Sequence, residues 1–426
     1  MKTFYFVWLG QIISIIGSGI TNFALGVWVY QSNGSVTQLG IIFVCSLLPG
    51  IIISPLIGTY VDFWNRRLIM LGSDLGSGLI TAVVFMLLAA DSLEVRHIYI
   101  FTSISSILNT SQWLAYSTSI TTIVTKLLLN RANGMIQLGE AAAQLLAPTL
   151  SGFLLAQIQL QGVVLIDLAT FFFAFTTLLI VKFPSKPKVS SSSRKNSFWQ
   201  DLTFGWLYIL ERPGLSALLF FFCATNFLVS IAEVLATPLV LSFQSVSILG
   251  IVKSVAGSGM LFGSILISIW GGPKRRIYGV LGFEFLLGFC LLIMGIKASV
   301  ISIILGGFGL FFSIPFFMAC SQTIWQVKVP SAVQGKVFAI RHAIAWASRP
   351  LGFLVAGPLA EQIFEPFMTK NKSQITIFLR RLIGSESGRG IGLLFIVLGM
   401  LTMLCTIIAY QYPRLRLIED ELPDSN

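Results

Sequence analysis

The chain has 426 residues, 55% of them hydrophobic and only 11% charged, with a mean hydropathy of +0.86. That composition excludes an ordinary water-soluble globule, because the apolar surface exceeds what one core can bury and must face lipid. A net charge of +11 does not point to nucleic acid either, since the Lys and Arg residues are spread over alternate loops rather than gathered on one patch.

Stretches long and apolar enough to cross a bilayer are expected at 4–30, 36–60, 68–90, 98–122, 136–157 and 163–183, then at 214–241, 247–270, 277–297, 300–325, 337–363 and 390–412. The first is too long for a removable leader and lacks a small-residue cleavage pattern, so it is expected to remain as a helix. The fold class is therefore an all-α membrane protein with twelve transmembrane helices. Its expected parts are an N-terminal six-helix bundle at 1–183, a cytoplasmic linker at 184–213, a C-terminal six-helix bundle at 214–412 and a cytoplasmic tail at 413–426. Pro184, Pro187 and the run Ser190 to Ser193 make the linker flexible, while Phe198, Trp199, Phe204 and Trp206 among polar residues suggest a short helix on the membrane surface.

Shifted by 210 residues, the sequence meets itself. Lys2/Arg212, Arg66/Arg276, Asp74/Glu284, Lys126/Lys336 and Arg131/Arg341 pair like charges, and Gly40/Gly250, Gly72/Gly282, Gly78/Gly288 and Pro148/Pro358 keep the same offset. The two bundles are thus expected to be parallel repeats, the architecture of a rocking transporter. The register fails only near the end, where residues 365–388 read as an insertion in the last exterior loop. The basic residues of the inner loops place both termini in the cytoplasm, with Lys370, Lys372, Arg380, Arg381 and Arg389 as the exception.

Between the second and third spans stands Gly58-Thr-Tyr-Val-Asp62-Phe63-Trp64-Asn65-Arg66-Arg67. A small residue permits close helix approach, and an acid at a helix end beside paired arginines makes a charge latch on the rim. This resembles the loop signature of the major facilitator superfamily, with Phe63 and Asn65 departing from its usual basic residue and glycine. The second copy, Gly271-Gly272-Pro273-Lys274-Arg275-Arg276, keeps the basic cluster without the acid. Ala132-Asn133-Gly134, Ala147-Pro148-Thr149-Leu150-Ser151-Gly152, Ile166-Asp167, Gly335-Lys336-Val337-Phe338, Pro350-Leu351-Gly352, Ala356-Gly357-Pro358-Leu359 and Gly388-Arg389-Gly390 are similar to the efflux branch that holds macrolide exporters and the enterobactin exporter. The resemblance implies a secondary transporter of a bacterial inner membrane that exports a hydrophobic or amphiphilic small molecule, with a proton as the implied coupling ion. Asn109 to Trp113 lack the arginine that proton-coupled drug antiporters often carry in the fourth helix.

Ionisable groups inside spans are costly unless paired or wet, so they mark the pathway. Glu233 and Lys253 lie at matching depth on consecutive helices and are expected to pair, or Glu233 to carry a proton. Arg349 either joins the pathway or satisfies carbonyls freed by Pro350, and Glu140 lies shallower in the fifth helix. Asp74 and Glu284, near the inner ends of the third and ninth helices, are expected to latch with nearby arginines, giving a gating set of Gly58, Asp62, Arg66, Arg67, Asp74, Arg276 and Glu284. Gln11, Asn22, Gln112, Trp113 and Asn226 are candidates for lining a cavity that takes an amphiphile, although any single aromatic also reads as lipid-facing.

No nucleophile elbow or Walker loop is present, and the five cysteines, all within spans and without CxxC spacing, read as packing residues. No enzyme activity, cofactor or metal site is expected; His97 and His342 are isolated. The expected partners are a small-molecule substrate and membrane lipid, with no nucleic acid, and the chain is expected to be a monomer. The alternatives are an importer of the same class, or a transport-inactive membrane sensor or scaffold whose linker and acidic tail Glu419-Asp420-Glu421 recruit a partner.

Overall fold

The structure is a computed structural model that describes residues 2–63, 65–123, 129–181, 198–330, 333–370, 374–384, 386 and 388–421. Among the described residues every regular element is helical. Ten helices among the described residues are long and apolar enough to cross a membrane, and one of them, Gly139–Ile180, is long enough for two crossings.

The first unit holds residues 1–190 together with 245–254. Its helices are α1 (Lys2–Asn33), α2 (Val36–Phe63), α3 (Arg66–Ala89), α4 (Val95–Ile123) and α5 (Leu129–Ile180). Gln159, at φ 57° and ψ −176°, breaks α5 into two arms. The expected fifth and sixth spans are these arms. The second arm packs antiparallel on α1 along a seam of missing side chains. A methyl group at Gly10 or Gly17 would run into the hydroxyls of Thr177 and Thr170 respectively, so α1 can approach only because those positions are glycine.

Helix α4 is polar for a buried span, and its composition is reconciled with the helix by internal bonding. Ser103, Thr110 and Ser111 each donate to the carbonyl four residues back, at 2.7 to 2.8 Å. A hydroxyl satisfied by its own helix can face an apolar medium. Ser106 also accepts from the Gly50 N–H at 3.1 Å, joining α4 to α2.

The second unit holds residues 191–244 and 255–426. It contains α6 (Phe198–Leu210), α7 (Pro213–Leu241), most of α8 (Val246–Trp270), α9 (Arg276–Ile296), α10 (Val300–Lys328), α11 (Gln334–Pro358) and α14 (Arg389–Gln411). Between α11 and α14 stand a π-helical turn, Leu359–Phe364, and two short helices, α12 (Glu365–Lys370) and α13 (Gln374–Ile383). Small residues again set the packing: a methyl at Gly259 or Gly263 would overlap the Phe308 or Phe312 carbonyl of α10. Phe283 and Phe316 stack at 4.1 Å between centroids. The chain ends in α15 (Pro413–Arg416) and α16 (Ile418–Glu421).

The repeat is visible in the helix starts. Val36 and Val246 open α2 and α8, and Arg66 and Arg276 open α3 and α9, both at the 210-residue offset. With α5 counted as two arms and α4 added to the ten apolar helices, α1–α5 and α7–α11 with α14 make twelve crossings in two six-helix repeats. The insertion expected at 365–388 is largely helix among its described residues, and part of its charge is spent internally. The Glu365 carboxylate accepts the N–H groups of Gly388 and Gly390 at 2.8 and 3.1 Å, capping α14. Arg380 and Arg389 donate to the Met368 and Ile383 carbonyls at 2.7 and 2.9 Å.

Candidate functional site

In the first unit α3 carries Asp74 into the interior, where it is 3% exposed. Among the described residues it forms no ion pair with an arginine. Instead Gln11 of α1 donates to Asp74 Oδ2 at 3.4 Å, and Gln112 of α4 donates to Asp74 Oδ1 and, at 2.7 Å, to Gln11 Oε1. One amide carries two N–H hydrogens, so Gln112 can serve both acceptors. Three helices are thereby tied by a neutral-donor network around one acid. The expected latch between Asp74 and arginines is corrected, and two residues placed in the pathway are its ligands.

Arg67 is committed elsewhere. It donates to the Leu178 and Leu179 carbonyls at 3.3 and 2.6 Å, capping the end of the second arm of α5 as a cation does best. Gly58 and the side chain of Asp62 lie outside the described residues. Arg66 is half-buried at the start of α3.

Two turns above Asp74 on the same face of α3, a second acid is buried. Asp167, on the second arm of α5, is 4% exposed and accepts from Ser18 Oγ at 3.1 Å and Thr81 Oγ1 at 3.4 Å. It faces a cavity of about 60 Å³ between α1, α3, α4 and that arm, with Asn22 and Asn109 on its lining. The sequence signal was present as an acid four residues into an apolar span, but it stood there only as part of a motif. Trp113 is 57% exposed and Glu140 is half-buried.

In the second unit Glu233 of α7 forms an ion pair with Arg349 of α11. The expected pairing with Lys253 is thus replaced on the Glu233 side. Lys253 belongs to the first unit, its ammonium 5.5 Å from the Phe23 ring. The Arg349 guanidinium also lies 5.0 and 5.7 Å from the rings of Trp346 and Phe353. Pro350 lacks the N–H that would reach the Trp346 carbonyl of α11, and Asn226 of α7 donates to the neighbouring Ala345 carbonyl at 3.2 Å. Asn226, expected in the cavity lining, thus serves the backbone of α11.

Glu284, the repeat mate of Asp74, is 1% exposed. Thr225 sits against its carboxylate, while Oε2 has no hydrogen-bond partner among the described residues. Its expected latch partner, Arg276, faces Glu419 of α16 at 4.0 Å. Glu419 also accepts from the Ile277 N–H at 3.0 Å, and its carbonyl accepts from Lys328 at 2.6 Å. The acidic tail is thus a clasp on α9 and α10.

Six-helix repeats with charged and amide groups turned inward define a membrane transporter fold. The chain belongs to the Major Facilitator Superfamily, whose family model matches residues 7–353. It is 26% identical over 387 residues to macrolide efflux protein A of Streptococcus pyogenes, covering 84% of this chain and 90% of that one. It is 20% identical to the multidrug efflux pump Tap of Mycolicibacterium fortuitum, covering 81% and 86%. Among solved structures, a bacterial homologue of the human lysosomal transporter Spinster superimposes with a TM-score of 0.72 at 12% identity, covering 99% of this chain and 98% of that one. The nucleoside transporter NupG gives 0.71 at 12% identity, covering 97% and 100%. The protein is a multi-pass integral membrane transporter.

Proposed function

We propose that this transporter exports a hydrophobic or amphiphilic small molecule of macrolide-like character by alternating access, driven by an ion gradient across a bacterial inner membrane. The observation that carries the reading is the near end-to-end match to macrolide efflux protein A, 84% of this chain against 90% of that protein. The buried acids fit it. Groups held by neutral amides and hydroxyls, as Asp74 and Asp167 are, can change charge state more cheaply than groups locked by a fixed cation. The alternation of basic loops supports a cytoplasmic position for both termini.

The test is accumulation of a radiolabelled macrolide in cells with and without the protein, followed by uptake into everted membrane vesicles under an imposed gradient. Expression should lower cellular accumulation, and a gradient-collapsing ionophore should erase the difference. Accumulation that rises on expression would make the protein an importer, and unchanged accumulation over a panel of amphiphiles would favour the sensor reading. A cysteine at Ser192 should label only from the cytoplasm.

A further inference from the structure

Three acids are buried in the described residues of the spans, and only Asp167 stands at a cavity with unused oxygen atoms. Asp74 has amide donors on both carboxylate oxygens, and Glu284 is enclosed at 1% exposure. Asp167 is different. It lies in no ion pair among the described residues, and an uncompensated buried carboxylate is expensive. Its two hydroxyl neighbours satisfy it poorly. Thr81 has one hydrogen to give, and its hydroxyl stands closer to the Ser77 carbonyl, at 3.1 Å, than to Asp167, at 3.4 Å. That single hydrogen is shared between the two, which leaves Asp167 Oδ2 weakly satisfied.

Further lone pairs converge on the same space. Thr21 is 7% exposed and its hydroxyl lies beside the carboxylate without a well-formed hydrogen bond, and Ser77 Oγ has no partner among the described residues. Both residues line the cavity of about 60 Å³. Buried polar atoms left unpaired in a native fold call for an occupant. The space is larger than one water needs, and Asn22 and Asn109, both exposed at its edge, supply amide oxygens and a way in. Gly17 completes the device, because a methyl there would strike the Thr170 hydroxyl and stand 3.1 Å from Asp167 Oδ1.

We propose that the cavity around Asp167 in the first unit is a binding site for a monovalent metal cation of the sodium type, held by the carboxylate and by the oxygens of Ser18, Thr21, Ser77 and Thr81. An all-oxygen donor set suits a hard cation, and a single carboxylate balances a single positive charge. The ion sits about 10 Å along α3 from Asp74, seven residues away at the helical rise. The assignment of this ion as the one that drives export rests on the function proposed above; the site itself does not.

Thermal unfolding of the full-length protein in detergent, with sodium chloride titrated against choline chloride at constant ionic strength and no drug present, reads the site directly. Binding of radioactive sodium by equilibrium dialysis gives the occupancy. Wild type should show a saturable stabilisation by sodium, with one ion bound per chain. Asp167→Asn should weaken sodium binding by at least about tenfold, the equivalent of losing one charged ligand. Thr81→Val and Ser77→Ala should each shift the midpoint to higher sodium while keeping the fold, which guards against misfolding of the Asn variant. Equal stabilisation by choline, no bound sodium, or a sodium effect that persists in all three variants would overturn the proposal. An Asp167→Asn protein that loses export while wild type binds no sodium would assign the cavity to a proton and also overturn it. Sodium binding in a protein that exports no drug would leave the site standing and refute the export reading.

Discussion

The ion pair between Glu233 and Arg349 offers the sharpest check on the second unit. Its side chains are 40% and 24% exposed, so neither limiting case applies. An exposed pair contributes under about 1 kcal/mol, whereas breaking a fully buried one costs about 3–5 kcal/mol. With one partner more than a third exposed, the buried figure must be discounted for screening, and a coupling of about 1–2 kcal/mol is expected, roughly a 5–30-fold effect on an equilibrium. Glu233→Gln keeps the shape and removes the charge. It leaves Arg349 against the faces of Trp346 and Phe353, which soften the loss. Arg349→Met leaves a carboxylate that can hydrate from its open side. Each single change should therefore lower the unfolding midpoint in detergent, and the double variant should lose less than the two losses together. Drug export measured on the same three proteins would show whether the pair also works during turnover. Losses that add to within about 0.5 kcal/mol would mean that the two groups do not interact, and the reasoning from their contact would fail.

Other expectations follow from the same geometry. Gln112→Leu should destabilise the first unit by about 1–3 kcal/mol, because Asp74 and Gln11 both lose a buried donor, and Asp74→Asn should also lower thermal stability, because its NH2 group meets one of the two amide donors; an unchanged melting temperature in both would deny the network. Gly17→Val should disrupt the seam between α1 and the second arm of α5 by about 1–3 kcal/mol of overpacking, read as a lower melting temperature, and an unaffected protein would refute the close approach. Glu419→Ala should free the tail from Arg276 and the Ile277 N–H, speeding tryptic cleavage at Arg414 and Arg416 with a stability change below about 1 kcal/mol; unchanged cleavage would deny the clasp.

The architecture was legible because its signals are long and redundant. A span of some twenty apolar residues has few alternative readings, and like charges at a fixed offset marked the duplication before any helix was placed. The site was legible only in part. Asp74, Gln11, Gln112, Glu233 and Arg349 all stood out as polar groups in apolar surroundings, but sequence gives depth along a helix and not azimuth around it. Matching depth made Lys253 the natural partner of Glu233. The actual partner sits on α11, brought there by packing of α7 against α11 that no spacing encodes. Asp167 was passed over for the opposite reason: its importance comes from four hydroxyl residues on other helices, each unremarkable alone. The insertion before α14 was read as a basic loop because its arginines were counted as free charges, whereas Arg380 and Arg389 are used on carbonyls of the segment itself.

Asp74 and Glu284 show how far a duplicated position can diverge in chemistry while its place is kept. Both lie eight residues into the helices opened by Arg66 and Arg276, and both are almost fully buried. The first is surrounded by amide donors from two other helices, and the second has one hydroxyl neighbour and an oxygen without a partner. Donors from neighbouring helices offset part of the cost of burying a carboxyl group in an apolar bundle, and Glu284 has fewer of them than Asp74. Two acids of the second unit are instead compensated by opposite charge, Glu233 by Arg349 and Glu419 by Arg276. Compensation by a fixed cation favours one charge state and one geometry; compensation by neutral hydroxyls and amides leaves both open. The responsive chemistry of this transporter is therefore to be sought in the first unit, along the face of α3 that carries Asp74, Ser77 and Thr81, and the second unit supplies charge that is already spent.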